Sequence, residues 1–169
     1  LKDDGVFIFE TYYLNNLIQD LQYDSIYHEH CCYFSIISAE KLLKRFGMYI
    51  DDIKLIPEFR SGCFRIYAKK GEGTTNPCYY TSDLFENFAD GMKKQRFDLM
   101  TLLGKLKMGG RKTIIGYGAT GRATIMMNYC GIDGKFLDYV VDDTPEKQGL
   151  YMPGVHVPIR AWDDGKYDE

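Results

Sequence analysis

Thr113-Ile-Ile-Gly-Tyr-Gly-Ala-Thr-Gly121 is followed by a helix-compatible stretch to Cys130-Gly131, then by Phe136-Leu-Asp-Tyr-Val-Val141 and the acidic pair Asp142-Asp143. This order reads as strand, glycine-rich turn, helix and strand, the repeating unit of α/β sheets. Gly116, Gly118 and Gly121 match G-x-G-x-x-G, with an acidic residue about twenty positions further on, the spacing of dinucleotide sites. Glycines let a ligand approach the backbone closely, and a helix N-terminus attracts phosphate. The same turn also serves simply to pack a helix on a strand. On its own it leaves open a nicotinamide dinucleotide with Asp142 on its ribose, a diphosphate-bearing substrate, or a purely structural role.

Upstream, Gly5-Val-Phe-Ile-Phe9 is apolar and rich in β-formers, the pattern of a strand buried on both faces. Residues Leu14 to Leu21 suit a helix. Ser38 is placed to cap a second helix, Ala39 to Phe46, that Gly47 ends in a left-handed turn. Two strand-like runs, Met48 to Pro57 and Gly62 to Ala68, are joined by a polar turn at Glu58 to Ser61. In the second run Phe64, Ile66 and Ala68 alternate with Cys63, Arg65 and Tyr67, giving one well-buried face and one mixed face, as at a sheet edge or closing hairpin. Gly71 to Pro77 reads as a domain boundary. A long helix follows from near Ser82 to Gly109-Gly110, with Leu84, Phe85, Phe88, Met92, Leu99, Leu102, Leu103 and Leu106 at three-and-four spacing.

Composition narrows the function classes. Lys and Arg number 21 and Asp and Glu 24, a net charge of −3 with no basic run, so no nucleic-acid partner is expected. No stretch of about eighteen apolar residues is present, which leads us to expect a soluble chain without a membrane partner, and cysteines in no paired pattern lead us to expect the reducing cytoplasm. Five cysteines in no C-x-x-C pair indicate neither a disulfide framework nor a zinc knuckle.

The run Tyr27-His28-Glu29-His30 is the candidate for chemistry, the alternative being an ordinary turn in which Tyr27, Glu29 and His30 cap neighbouring backbone. Imidazole is the side chain whose unperturbed titration lies nearest neutral pH, and an adjacent carboxylate orients it, so the run suits proton transfer. With Cys31 and Cys32 it also has the donor types of a metal cluster, but a closed site needs about four ligands and His156 is the remaining histidine, so no metal is expected here.

Asp24-Ser-Ile-Tyr-His-Glu-His30 with Tyr33-Phe-Ser35 resembles the catalytic segment of S-adenosylmethionine-dependent sugar C-methyltransferases, which act on nucleotide-linked 4-keto-deoxysugars in deoxysugar biosynthesis. Gly116-Tyr-Gly-Ala119, Asn128 to Ile132, Asp142, Thr144-Pro145, Lys147-Gln148 and Pro153 to Pro158 resemble that family's C-terminal domain. Where the family often has His-Gly-Gly-Ser, this chain has Arg60-Ser-Gly-Cys63. The resemblance implies an α/β fold in which part of a class I methyltransferase Rossmann-like sheet precedes a second, incomplete Rossmann-like domain. Residues 1–76 would close the methyltransferase domain, 77–110 form a connecting helix, and 111–169 begin the C-terminal domain.

It also implies that the chain is a fragment, inactive alone, of a longer enzyme with a zinc-binding N-terminal domain and an S-adenosylmethionine loop upstream, the nucleotide-sugar lying between the last two domains. His30 then corresponds to the general base, Glu29 to the carboxylate assisting it and Tyr27 to a hydroxyl near the sugar; Gly116, Tyr117, Gly118, Ala119 and Arg65 would bind substrate. A nicotinamide-dependent oxidoreductase and a non-catalytic Rossmann-like domain are the competing expectations.

Overall fold

Strand β3 (Cys63–Lys70) lies between β1 (Val6–Tyr12) and β2 (Met48–Ile56) and is antiparallel to both, giving the sheet order β1-β3-β2 in a computed structural model. The structure describes residues 1–57, 62–73, 84–110 and 113–162. The expected turn at Glu58 to Ser61, the latter part of the Gly71 to Pro77 boundary and the Ser82 helix start lie outside them. The chain divides into two units, one formed by Leu1–Gln22 with Glu29–Ala89, the other by Tyr23–His28 with Asp90–Glu169. The division falls within helix α3 (Leu84–Met108).

In the first unit the alternation read from β3 is realised. Phe64, Ile66 and Ala68 are fully buried with Tyr13, Ala39, Leu43 and Ile50, while Arg65 and Tyr67 on the other face are half-buried. Full burial of Phe64 and Ile66 contributes roughly 1.5–3 kcal/mol each. Helix α1 (Leu14–Gln19) follows β1, and α2 (Ile36–Lys44) lays Ala39 and Leu43 on the core. Gly47 continues from it at φ +64°, as its position after the helix suggested.

Two expectations are corrected. Strand β1 is not buried on both faces: it stands at the edge of the sheet, and Val6, Phe7 and Ile8 are exposed. The N-cap of α2 is Ser35 rather than Ser38. Ser35 Oγ accepts from the Ser38 amide at 3.1 Å while Ser38 Oγ accepts from the Ser35 amide at 2.9 Å, a reciprocal capping box that starts the helix three residues earlier.

The second unit holds a parallel sheet ordered β4 (Ile115–Tyr117), β5 (Tyr139–Val141), β6 (Ile159–Arg160), with α4 (Gly121–Cys130) between β4 and β5. Strand β4 begins two residues later than its apolar run, because Gly116 and Tyr117 pair with Val140 and Val141. Helix α4 is capped by Thr120 and stopped by Gly131 at φ +77°. Its core joins Met127, Cys130 and Ile132 to Leu137, Val140, Met152, Val157 and Ile159, with Leu103 from α3. No described helix is long and apolar enough to cross a membrane.

Candidate active site

The end of β1 builds one side of a concavity in the first unit. Phe9 and Tyr13 face the core, with Tyr13 against Phe64 at 5.3 Å between ring centroids, and strand alternation puts Glu10 and Tyr12 on the opposite face. Cross-strand pairing sets Arg65 opposite Glu10 and Cys63 opposite Tyr12. Arg65 Nε and Nη2 both donate to Glu10 Oε2, at 2.9 and 2.7 Å. The sequence-predicted Arg65 is therefore engaged with a carboxylate of the same strand pair.

The segment after His28 crosses this face. Leu14 N–H donates to Phe34 O at 3.0 Å and Tyr13 bridges to Phe34, tying the segment to the end of β1. Glu10, Thr11, Tyr12, Glu29, His30 and Cys63 are among the residues lining a cavity of about 450 Å³. His30 is half-buried, its ring 4.9 Å from that of Tyr12 and 6.4 Å from that of Tyr33, the latter edge-on. Glu29 is exposed. His30 thus lies in a polar recess rather than the apolar core, together with Glu29. Tyr12 and Glu10 escaped the motif reading; the signal available was the alternation that sends them to the face opposite Phe9 and Tyr13.

Tyr27 belongs to the second unit. There Tyr23 is buried, its hydroxyl 3.5 Å from Cys130 Sγ and its ring 4.8 Å from that of Tyr129. Arg122 Nε and Nη2 reach the two oxygens of Asp24 at 2.8 and 2.9 Å. Tyr27 follows on this segment and packs at the start of α4, where a Cβ on Gly121 would lie 3.8 Å from its ring. The structure therefore brings Tyr27 to the glycine-rich turn and sets Glu29 and His30 in the first unit's recess. His28 is exposed, with the Tyr27 ring edge-on to it.

The glycine-rich turn is bonded to its own unit. Gly118 N–H donates to Val141 O at 2.7 Å, Ala119 N–H to Asp142 Oδ2 at 2.7 Å and Thr120 N–H to Gly118 O at 3.0 Å. Asp142 is buried and also accepts from the Thr144 amide at 2.9 Å and Lys147 Nζ at 3.2 Å. Hydrogen bonds from the Thr144 side chain and amide, with Lys147 and Ala119, hold its carboxyl well below the usual range despite the opposing effect of burial. Tyr117 is exposed and donates to Asp143 Oδ2 at 3.0 Å, a hydrogen bond that raises its phenol above the ordinary value.

The turn's described amide donors are used within the protein. The amides at 118, 119 and 120 point at Val141, Asp142 and Gly118, and both oxygens of Asp142, the expected ribose partner, already accept from the protein.

The C-methyltransferase C-terminal domain family matches residues 65–168. The chain belongs to this family. The C-methyltransferase NovU of Streptomyces niveus is 27% identical over 178 residues, covering 94% of this chain and 41% of NovU. The chain thus spans less than half the length of that C-methyltransferase relative. Tyr27, Glu29 and His30 precede the family match, which begins at Arg65 on β3 and takes in the whole glycine-rich turn.

Proposed function

We propose that this chain is part of a C-methyltransferase that moves a methyl group from S-adenosylmethionine to a ring carbon of a nucleotide-linked 4-keto-deoxysugar, with His30 as the general base. The observation that carries the reading is the position of His30, half-buried with its ring 4.9 Å from that of Tyr12, in a recess shared with Glu29 and Glu10. A keto group acidifies hydrogens on the neighbouring ring carbons. Removing one leaves an enolate, and a positioned base contributes typically ~10²–10⁴-fold to such a step. Imidazole Nδ1 or Nε2 takes the proton; Glu29 steadies the ring; Tyr27 supplies a hydroxyl near the sugar. Gly116 to Ala119 and Arg65 belong to substrate binding, the turn through its shape, since its amides bond internally, and Arg65 by holding Glu10.

S-adenosylmethionine, bound by the whole enzyme, supplies the electrophilic methyl that the enolate carbon takes. The described part of the first unit is an antiparallel sheet without a glycine-rich strand-to-helix turn, so no residue of this chain is assigned to the methyl donor. Zinc enters only through the resemblance to longer proteins; among the described residues no group of three or more His, Cys, Asp or Glu side chains is arranged to hold a metal. We read the parallel β4-β5-β6 sheet as the start of a Rossmann-like domain at 111–169 and the β1-β3-β2 sheet as the closing part of the methyltransferase domain at 1–76, with residues 77–110 connecting them.

The test is deuterium exchange. In the full-length enzyme, incubation of a thymidine-diphosphate 4-keto-deoxysugar in deuterated water should exchange the ring hydrogen beside the ketone, and His30→Ala should slow both exchange and methyl transfer by ~10²–10⁴-fold while S-adenosylmethionine binding persists. Wild-type exchange and turnover in His30→Ala would remove His30 from the mechanism.

A further inference from the structure

Tyr12 and His30 are eighteen residues apart in sequence, yet their rings meet at 4.9 Å between centroids with planes inclined by 51°. Tyr12 closes β1 opposite Cys63, and the next residue, Tyr13, is buried and bridged to Phe34. The backbone of Tyr12 is therefore fixed by a sheet ladder on one side and the His30 segment on the other. Tyr33 meets the imidazole edge-on at 6.4 Å with planes at 80°, so a second aromatic ring lies against it.

We infer that Tyr12 is a positioning residue for His30, its ring acting as the wall that fixes the imidazole's orientation. The inference rests on the reading of His30 as the base. A phenol ring does this well. It offers a flat, rigid face with few rotatable bonds, and tilted aromatic pairs are favourable beyond the area they bury. The hydroxyl is not needed for the contact, so the ring carries the effect. Misplacement of a base by about an ångström costs on the order of a hundredfold in rate without loss of substrate affinity.

The experiment uses the full-length enzyme with Tyr12→Phe, Tyr12→Leu and Tyr12→Ala, and His30→Ala in parallel. Tyr12→Leu keeps apolar bulk without the flat face and guards against simple loss of folding in Tyr12→Ala. Tyr12→Phe should keep kcat within about threefold, whereas Leu and Ala should lower it roughly ten- to a hundredfold with KM little changed. Proton NMR of ¹³C-labelled histidine should show a ring-current shift on the His30 imidazole that persists in Tyr12→Phe and shrinks in Leu and Ala, leaving the part due to Tyr33. Wild-type kcat or an unmoved His30 resonance in Tyr12→Leu overturns the inference, as does a Phe variant as slow as Ala. An impaired His30→Ala beside an unimpaired Tyr12→Leu sinks the role of Tyr12 alone. Wild-type turnover in His30→Ala sinks the base itself, and the positioning role with it.

Discussion

A carboxylate at the end of a strand beside a glycine-rich turn has two chemically sensible fates: it can face a ligand's hydroxyls or satisfy the turn's own amides. Asp142 takes the second, at 2.7 Å from Ala119 N and 2.9 Å from Thr144 N. Because these donors favour the ionised form, the folded-state carboxyl titrates below its unfolded value, which lies near 3.9. The stabilisation is therefore complete above about pH 4 and is lost as pH falls from there toward the lower folded value. Asp142→Asn turns an amide NH₂ toward donors that expect an acceptor, at a cost of about 1–3 kcal/mol at neutral pH. Circular-dichroism melting from pH 2 to 7 should show the gap between wild type and variant narrowing toward the acid end. A gap that stays constant across this range would mean that the carboxylate's charge is not what anchors the turn.

At the scale of elements, the α2 capping box is the clearest test of local coding. Ser35→Ala should cost about 1 kcal/mol, and Ser35→Ala with Ser38→Ala less than the sum of the two, because each serine serves the other's amide. Urea titration of the single and double variants measures both. The helix was legible in its serine cap signal and Gly47, but the cap was displaced by three residues: two serines sit at the two ends of one capping box, and a sequence does not say which of them begins the helix. Strand β1 was legible as a strand and misread in its burial, since an apolar run records composition and not what covers each face. The α4 turn was legible in its glycines. The fate of Asp142 was not, because a carboxylate bound to a ribose and one bound to an amide leave the same residue in the same place. In the recess, His30 and Glu29 stand out as a motif, whereas Tyr12 and Glu10 come from a strand whose alternation is visible but whose facing segment is known only from the folded chain.

For the molecule as a whole, the path of the chain matters more than its order. Each unit has its own buried cluster, and the six residues Tyr23–His28 belong to the second although the residues on both sides belong to the first. Two observations explain why this short piece is retained. The Asp24 carboxylate meets the Arg122 guanidinium with paired hydrogen bonds, a geometry stronger than a single contact. The Tyr23 ring is buried against Tyr129 and Cys130, and burial raises its phenol well above the ordinary value. Tyr23→Ala should accordingly remove about 3–5 kcal/mol, the range for deleting a buried aromatic ring, and uncover the Cys130 thiol. Alkylation followed by peptide mass spectrometry should find Cys130 labelled faster than in wild type, while Cys63, buried on β3 in the first unit, keeps its original rate. Equal acceleration at both thiols would mean that the change unfolds the chain generally. Unchanged labelling at Cys130 would mean that Tyr23 does not shield it.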